Sequence, residues 1–300
     1  MAKKHRFDAR TFLVRAESKV NLAKHSTEPG KELADRAVAS EALAADVESL
    51  RSAQERLYAG DRFSVLIILQ GMDASGKDGA IGHVMSGVNP LGCRAYAFKA
   101  PNETEVKHHF LWRPMQFLPQ RGMMSIFNRS YYEEVLAVRV HPQFLEPQRI
   151  PDLKITKPKQ LSKLWKQRYR EINAFERSLV ANGTLVIKFF LNVSRAEQKR
   201  RLLERMENPD KHWKFNPRDL EERALWPEYQ AAYEESLAET STEWAPWYIV
   251  PADEKWYARA VIADLITARL DELDLQFPGV TEQQKTLYQE LAKKLREEQA

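Results

Sequence analysis

The chain has 300 residues, 43% of them hydrophobic, and its 46 Lys and Arg against 42 Asp and Glu leave a net charge of +4. That is enough apolar material for one large core, and too mild and evenly spread a charge for a nucleic-acid binder working through bulk electrostatics. The single cysteine, Cys93, excludes an intrachain disulfide, and no run approaches eighteen consecutive apolar residues, so the expected setting is reducing and cytoplasmic with no membrane partner.

The opening MAKKHRFDAR lacks the apolar centre of a signal peptide. Residues 1–30 mix charges with Ser, Thr, Pro and Gly without a sustained period, which reads as an arm lying on the body or partly disordered. From 31 to 58 the pattern turns helical, with Leu43, Val47, Leu50 and Leu57 on one stripe and Gly60 just beyond the end. FSVLIIL, 63–69, is apolar on both parities, as a strand buried on both faces requires. Apolar runs follow at Ala95–Phe98, Met123–Phe127, Leu185–Leu191 and Trp247–Val250, each separated by helical pattern long enough for a crossover. The predicted fold class is therefore α/β, a three-layer sandwich around a five-stranded parallel sheet.

Helix punctuation is ordinary. Asn102 before Glu105 and Ser194 before Glu197 read as capping boxes, and Gly183 closes a long helix over 160–182. The stretch 142–159, with Pro142, Pro147, Pro151 and Pro158, reads as a surface excursion between helices. Residues 208–226, NPDKHWKFNPRDLEERALW, read as a mobile flap. With no internal repeat, the organisation is a single domain over 1–300: leading helix 31–60, core 61–275, lid 206–228 within it, and a helical tail 276–300.

The chemistry starts where the first strand ends. LQGMDASGKDGA, 69–80, has Gly71, four residues, then Gly76 and Lys77, the glycine-rich half of a phosphate-binding loop. Such a turn gathers backbone N–H groups and the positive end of a helix at one spot. Gly71, Ala74, Ser75, Gly76, Asp78 and Gly79 would line the phosphate, and Lys77 would supply a point charge. Asp78 stands where a magnesium-binding hydroxyl is usual. Asp73 is then the nearest hard oxygen ligand for Mg²⁺, and Asp78 mainly complements the helix dipole.

The third strand runs into FNRSYYEEV at the carboxyl edge where ligands of open α/β sheets bind. Asn128 faces the loop, Arg129 offers a planar fork for phosphate, and Glu133 offers a second carboxylate for metal. Tyr131 and Tyr132 read as packing residues. Arg201 and Arg205 lie four apart on one helical face, and Lys211, Trp213 and Lys214 follow, a set suited to closing over a polyanion while an aromatic stacks on a base. His108 and His109 point about 100° apart on a helix and do not share a metal. Lys154, Lys157 and Lys159 form a rim that would attract a polyanion.

GMDASGKDG (71–79), FNRSYYE (127–133), NPDKHWKF (208–215) and STEWAPWYIVPADEKWYAR (241–259) resemble the polyphosphate kinase 2 family, over about residues 30–275. The resemblance implies a P-loop kinase sandwich like that of thymidylate kinase with a helical lid. It implies Mg²⁺-dependent, reversible phosphoryl transfer from inorganic polyphosphate to adenine nucleotides, with guanine an alternative base. Asp73 and Lys77 would be the essential loop pair, Asn128 and Arg129 the second phosphate motif, Arg201 and Arg205 lid residues, and Lys211 to Lys214 the lid tip. The FNRS form looks like the subgroup that accepts both AMP and ADP, and a homo-oligomer is implied. The segment 142–159 looks longer than in the family, which leaves the entry surface for polyphosphate open. Two rivals stand beside this reading: an ATP-dependent nucleoside monophosphate kinase, disfavoured by Asp78, and a non-catalytic polyphosphate or nucleotide binder.

Overall fold

The computed structural model describes residues 5–33 and 35–298. Residues 1–4 of the predicted arm, Ala34 of the predicted leading helix and residues 299 and 300 of the predicted tail lie outside the described residues. In chain order the elements are α1 (Arg36–Gly60), β1 (Ser64–Gln70), α2 (Lys77–Val84), β2 (Cys93–Ala97), α3 (Glu103–Val106), α4 (Trp112–Met115), β3 (Met124–Asn128) and α5 (Ala137–Val140). Then come α6 (Pro158–Ala181), β4 (Thr184–Asn192), α7 (Arg195–Glu207), α8 (Arg218–Ala224), α9 (Trp226–Thr240), β5 (Trp247–Pro251), α10 (Lys255–Asp271) and α11 (Glu282–Glu297).

The five strands form one parallel sheet in the order β2-β3-β1-β4-β5. They sit where the apolar runs predict them and differ only at their ends. Every residue of β1, β4 and β5 is buried, the two-sided burial that branched apolar residues on both parities call for. Helices α1, α2 and α10 pack together as one outer layer, and α5, α6 and α9 make the other. Among the described residues no helix is long and apolar enough to cross a membrane.

The arm lies on the body. Val14 N–H donates to Trp247 O at 2.9 Å, Ile249 N–H donates to Phe12 O at 2.8 Å, and Leu13 bridges Tyr248 in antiparallel sense. Phe7, Phe12, Val14 and Leu22 are buried. Thus β5 is an edge strand whose outer rim is satisfied by the chain's own beginning.

Several local readings change. In α1, Leu50 and Leu57 are buried as expected, but Leu43 and Val47 are only half-buried. The buried stripe runs instead through Ala39, Ala42 and Ala53, where small side chains let α10 come close. Gly60 is the last helical residue, and Asp61 beyond it takes the left-handed conformation at φ 46°. The Asn102–Glu105 capping box closes reciprocally. The Ser194 box is half-made: Ser194 accepts from Glu197 N–H, but the Glu197 carboxylate turns to Arg200 and Arg201. Cys93 is half-buried and free, with its thiol pushed up to about 11 by burial.

One buried feature has no trace in the apolar pattern of β4. Lys188 is fully enclosed and donates to Glu176 at 2.6 Å, to Tyr132 Oη at 2.9 Å and to Thr240 O at 2.7 Å. Glu176 also accepts from Tyr131 Oη at 2.8 Å and Tyr132 Oη at 2.7 Å, so the tyrosines read as packing residues are pinned by a carboxylate. Lys188→Met is expected to lower the unfolding free energy by about 3–5 kcal/mol in a urea titration, because it strands a buried carboxylate. Adding Glu176→Leu should return most of that loss.

Candidate active site

The central strand β1 ends at Gln70, and the chain turns through Gly71 (φ 153°), Ala74 (φ 60°) and Gly76 (φ 106°) into α2 at Lys77. At Gly71 a Cβ would stand 2.8 Å from Ser75 Oγ and 2.9 Å from Leu191 O, so only glycine fits the turn without displacement. The first amides of α2 have no acceptor inside the helix, which leaves a concave, positively polarised surface at this edge.

Lys77 is buried, and its ammonium folds back to donate to Gly71 O at 2.7 Å, Met72 O at 3.1 Å and Ser75 Oγ at 3.3 Å. Burial lowers its pKa to about 8; the Arg129 charge pushes the same way, against Asp73, Glu133 and Asp78. The free protein therefore loses this positive charge as pH rises through about 8. Turnover should follow: kcat/KM, which reports the free enzyme, is expected to decline above that pH. The decline in kcat should come at higher pH, because bound phosphate favours the ammonium. A pH–rate series with kcat/KM flat to about pH 10 would remove Lys77 from that role.

Across the cleft β3 ends at Asn128, and Arg129 takes a left-handed backbone at φ 63° with its N–H donating to Leu69 O at 3.1 Å. For a residue with a Cβ this conformation carries strain, and it sits at a carboxyl edge where strained positions gather in functional sites. The Arg129 guanidinium lies between two carboxylates, 2.5 Å from Asp73 Oδ1 and 3.5 Å from Glu133 Oε2, and Glu133 foremost holds its pKa above the usual value. Asn128 Nδ2 donates to Asp78 Oδ1 at 2.5 Å. Asp78 thus does more than complement the helix dipole: it ties α2 to the end of β3. Tyr233 of α9, unmarked by any motif, is buried close to Glu133, Arg129 and Asp73.

The lid residues divide. Arg201 is buried and fully engaged: Nε donates to Glu197 at 2.6 Å, one terminal nitrogen to Ala74 O at 2.9 Å and Ser75 O at 2.8 Å, and the other to Ala252 O at 2.6 Å and Asp253 O at 2.9 Å. It braces the phosphate loop from behind. Arg205, in contrast, reaches Asp219 Oδ2 at 3.2 Å and Lys214 O at 3.4 Å, tying α7 to the lid. Lys211 pairs with Glu204. Trp213 is 79% exposed, with the Lys214 ammonium 4.8 Å from its ring centre.

A cleft of about 1020 Å³ joins these parts, and every predicted site residue except Gly71 lines it. Gly71 lies beneath, shaping the turn. The cleft also takes in residues that the sequence does not single out as site candidates. Glu222 of α8 accepts from Tyr229 Oη at 2.6 Å and meets His141 Nε2 at 2.8 Å, which latches the lid to the body. Arg259 of α10 reaches toward Gly79. It is the last residue of the 241–259 stretch that carries the family resemblance, one turn beyond Lys255 on a helix that begins at the carboxyl edge of β5.

The family model for polyphosphate kinase 2 matches residues 33–278. The ADP-polyphosphate phosphotransferase of Rhodopseudomonas palustris is 46% identical over 271 residues, covering 90% of this chain and 92% of that protein. The AMP/ADP-polyphosphate phosphotransferase of Meiothermus ruber is 46% identical over 240 residues, covering 80% of this chain and 84% of that one. Among solved structures, polyphosphate kinase 2 from Arthrobacter aurescens TC1 superposes with a TM-score of 0.84 at 36% identity, over 96% of this chain and 99% of its own.

Proposed function

The chain belongs to the polyphosphate kinase 2 family, a polyphosphate-dependent nucleotide phosphotransferase, and from that premise we propose that it phosphorylates both AMP and ADP, reversibly, with Mg²⁺. The observation that carries the reading is the Asp73–Arg129–Glu133 bridge facing Lys77, with Asp78 in place of a hydroxyl. Two carboxylates opposed across one cation form a donor set that suits Mg²⁺, which takes few protein ligands and completes its shell with water and phosphate oxygen. Among the described residues no group of three or more His, Cys, Asp or Glu gathers that could hold a metal ion, so Mg²⁺ at these two carboxylates would take the rest of its shell from water and substrate. When bound, the ion would neutralise charge on the phosphates.

The terminal P–O–P bond of the donor breaks, an oxygen of the acceptor's phosphate bonds to the transferred phosphorus, and the shortened polyphosphate leaves with the electron pair. The acceptor oxygen is already ionised, so no general base is required. Lys77 and Arg129 neutralise charge spreading over the transferred group. Arg205, Lys211 and Lys214 bring the lid over the chain, and exposed Trp213 is free to stack on a base as it closes. Arg201 holds the loop in place for them. Adenine is the base we assign, with guanine an alternative.

Self-association and a cytoplasmic setting belong to the same proposal. Helix α11 carries Leu287, Tyr288, Leu291 and Leu295 on its open surface, which favours a homo-oligomer, and the free Cys93 suits a reducing compartment. The deciding experiment incubates the protein with Mg²⁺, AMP and long-chain polyphosphate in the absence of ATP. ADP followed by ATP is expected. Product only when ATP is the donor would make the protein a nucleoside monophosphate kinase, and saturable binding without product would make it a sensor.

A further inference from the structure

The long helix α6 turns Trp165, Arg168, Tyr169, Ile172 and Glu176 into the body. Its opposite face carries Lys159, Lys163, Lys166, Arg170 and Arg177, all exposed. At helical spacing these five fall within an arc of about 60° and span about 27 Å. Among the described residues, Lys159, Lys163, Lys166 and Arg170 make no ion pair. Elsewhere some exposed cations pair along their own helix, Arg51 with Glu48 and Glu55, Arg200 with Glu197 and Lys285 with Glu282, while single ones such as Lys199 do not; α6 differs in carrying four unpaired cations in one row. Of the two acids on α6, Glu171 lies about 100° away from Arg170 and accepts from Gln167, and Glu176 turns into the body.

This arrangement works against the helix. Like charges at i,i+3 and i,i+4 repel, and the first turn of α6 holds Lys159 and no acid, at the end where the dipole disfavours cations. A linear polyanion laid along the face would remove both penalties. The stripe also continues from the cleft: Pro147 and Gln148 line the cleft wall, and Arg149, Lys154 and Lys157 lead from there to α6 with Asp152 the single acid among them. No exposed aromatic interrupts the cations, since Trp165 and Tyr169 are buried, so the face lacks the stacking platform of a single-stranded nucleic-acid site.

We propose that this face of α6 is a track for the distal part of a long inorganic polyphosphate whose end lies at Lys77, and that it makes the enzyme favour long donors over short ones. The inference rests on polyphosphate being the donor. The test combines Lys159→Gln, Lys163→Gln, Lys166→Gln and Arg170→Gln. A control removes the same charge on α11 through Lys285→Gln, Lys293→Gln, Lys294→Gln and Arg296→Gln. Kinetics are measured with saturating ADP and either tripolyphosphate or long-chain polyphosphate.

The α6 variant is expected to raise KM for the long chain about tenfold, with its kcat and its KM for tripolyphosphate unchanged and the control variant unaffected. The difference should shrink as salt is added. A long-chain KM within about twofold of the parent, equal changes for both donors, or the same effect in the control would overturn the track. Should the parent protein turn over neither donor, the donor reading fails on its own. The track is then judged by binding of fluorescently labelled long-chain polyphosphate: weaker binding by the α6 variant supports it and equal binding overturns it. Displacement of that probe by single-stranded RNA as readily as by polyphosphate would reassign the face to nucleic acid.

Discussion

Lys77→Ala is expected to lower kcat/KM by about a thousandfold, or roughly 4 kcal/mol of transition-state stabilisation, with the urea midpoint little changed. The ammonium is the point charge enclosed by the phosphate loop, and in the free protein it rests on the carbonyls of Gly71 and Met72. Lys77 itself lines the cleft, so trimming it opens a path for water to those carbonyls and the fold survives. The transferred phosphoryl group has no such substitute, because a water dipole does not stand in for a desolvated cation. Lys77→Arg should rescue little, since a planar fork does not fit where an ammonium is folded beneath the loop. Activity retained within about tenfold of the parent would show that other cations carry the charge.

Arg201→Ala is expected to lose turnover and stability together, with about 3–5 kcal/mol taken from the unfolding free energy. Its guanidinium satisfies the carbonyls of Ala74, Ser75, Ala252 and Asp253 and the Glu197 carboxylate, all in a buried position. An ammonium has too few donors for that set, so Arg201→Lys should recover only part of either loss. The paired readout separates two roles. A brace moves the urea midpoint and kcat in the same variants. A residue acting on substrate phosphate alone would drop kcat in a protein of unchanged stability, and that result would overturn the brace.

Arg201 also marks where sequence reading stops. Helical spacing puts Arg201 and Arg205 on one face, and that much is correct. Spacing does not say that the face at Arg201 turns toward the back of the loop while Arg205, one turn further along the same helix, reaches the lid. Apart from Glu197 on its own helix, the partners of Arg201 lie more than a hundred residues earlier in the chain, or some fifty later, and carbonyl oxygens have no residue-type signature. The same limit hides Lys188 inside an apolar strand and Tyr233 beside Glu133. Strands were legible because burial on both faces imposes apolar residues on both parities. The seam of α1 was not, because a close helix contact selects alanine, which carries little hydropathy contrast. The phosphate loop was readable in outline because its glycines answer to backbone geometry at Gly71 and Gly76. The second role of Asp78 was not, because its partner Asn128 belongs to another strand.

The arm along β5 bears on how the protein behaves outside its chemistry. Cutting the chain after Val14 would leave the Trp247 carbonyl and the Ile249 amide without partners on a strand that is otherwise entirely apolar. Such a rim recruits whatever extended chain is nearest, and at high concentration that chain is another molecule of the same kind. Truncated forms should then precipitate on overexpression while retaining every residue that touches phosphate. Solubility of this catalyst is guarded by a segment remote from its cleft.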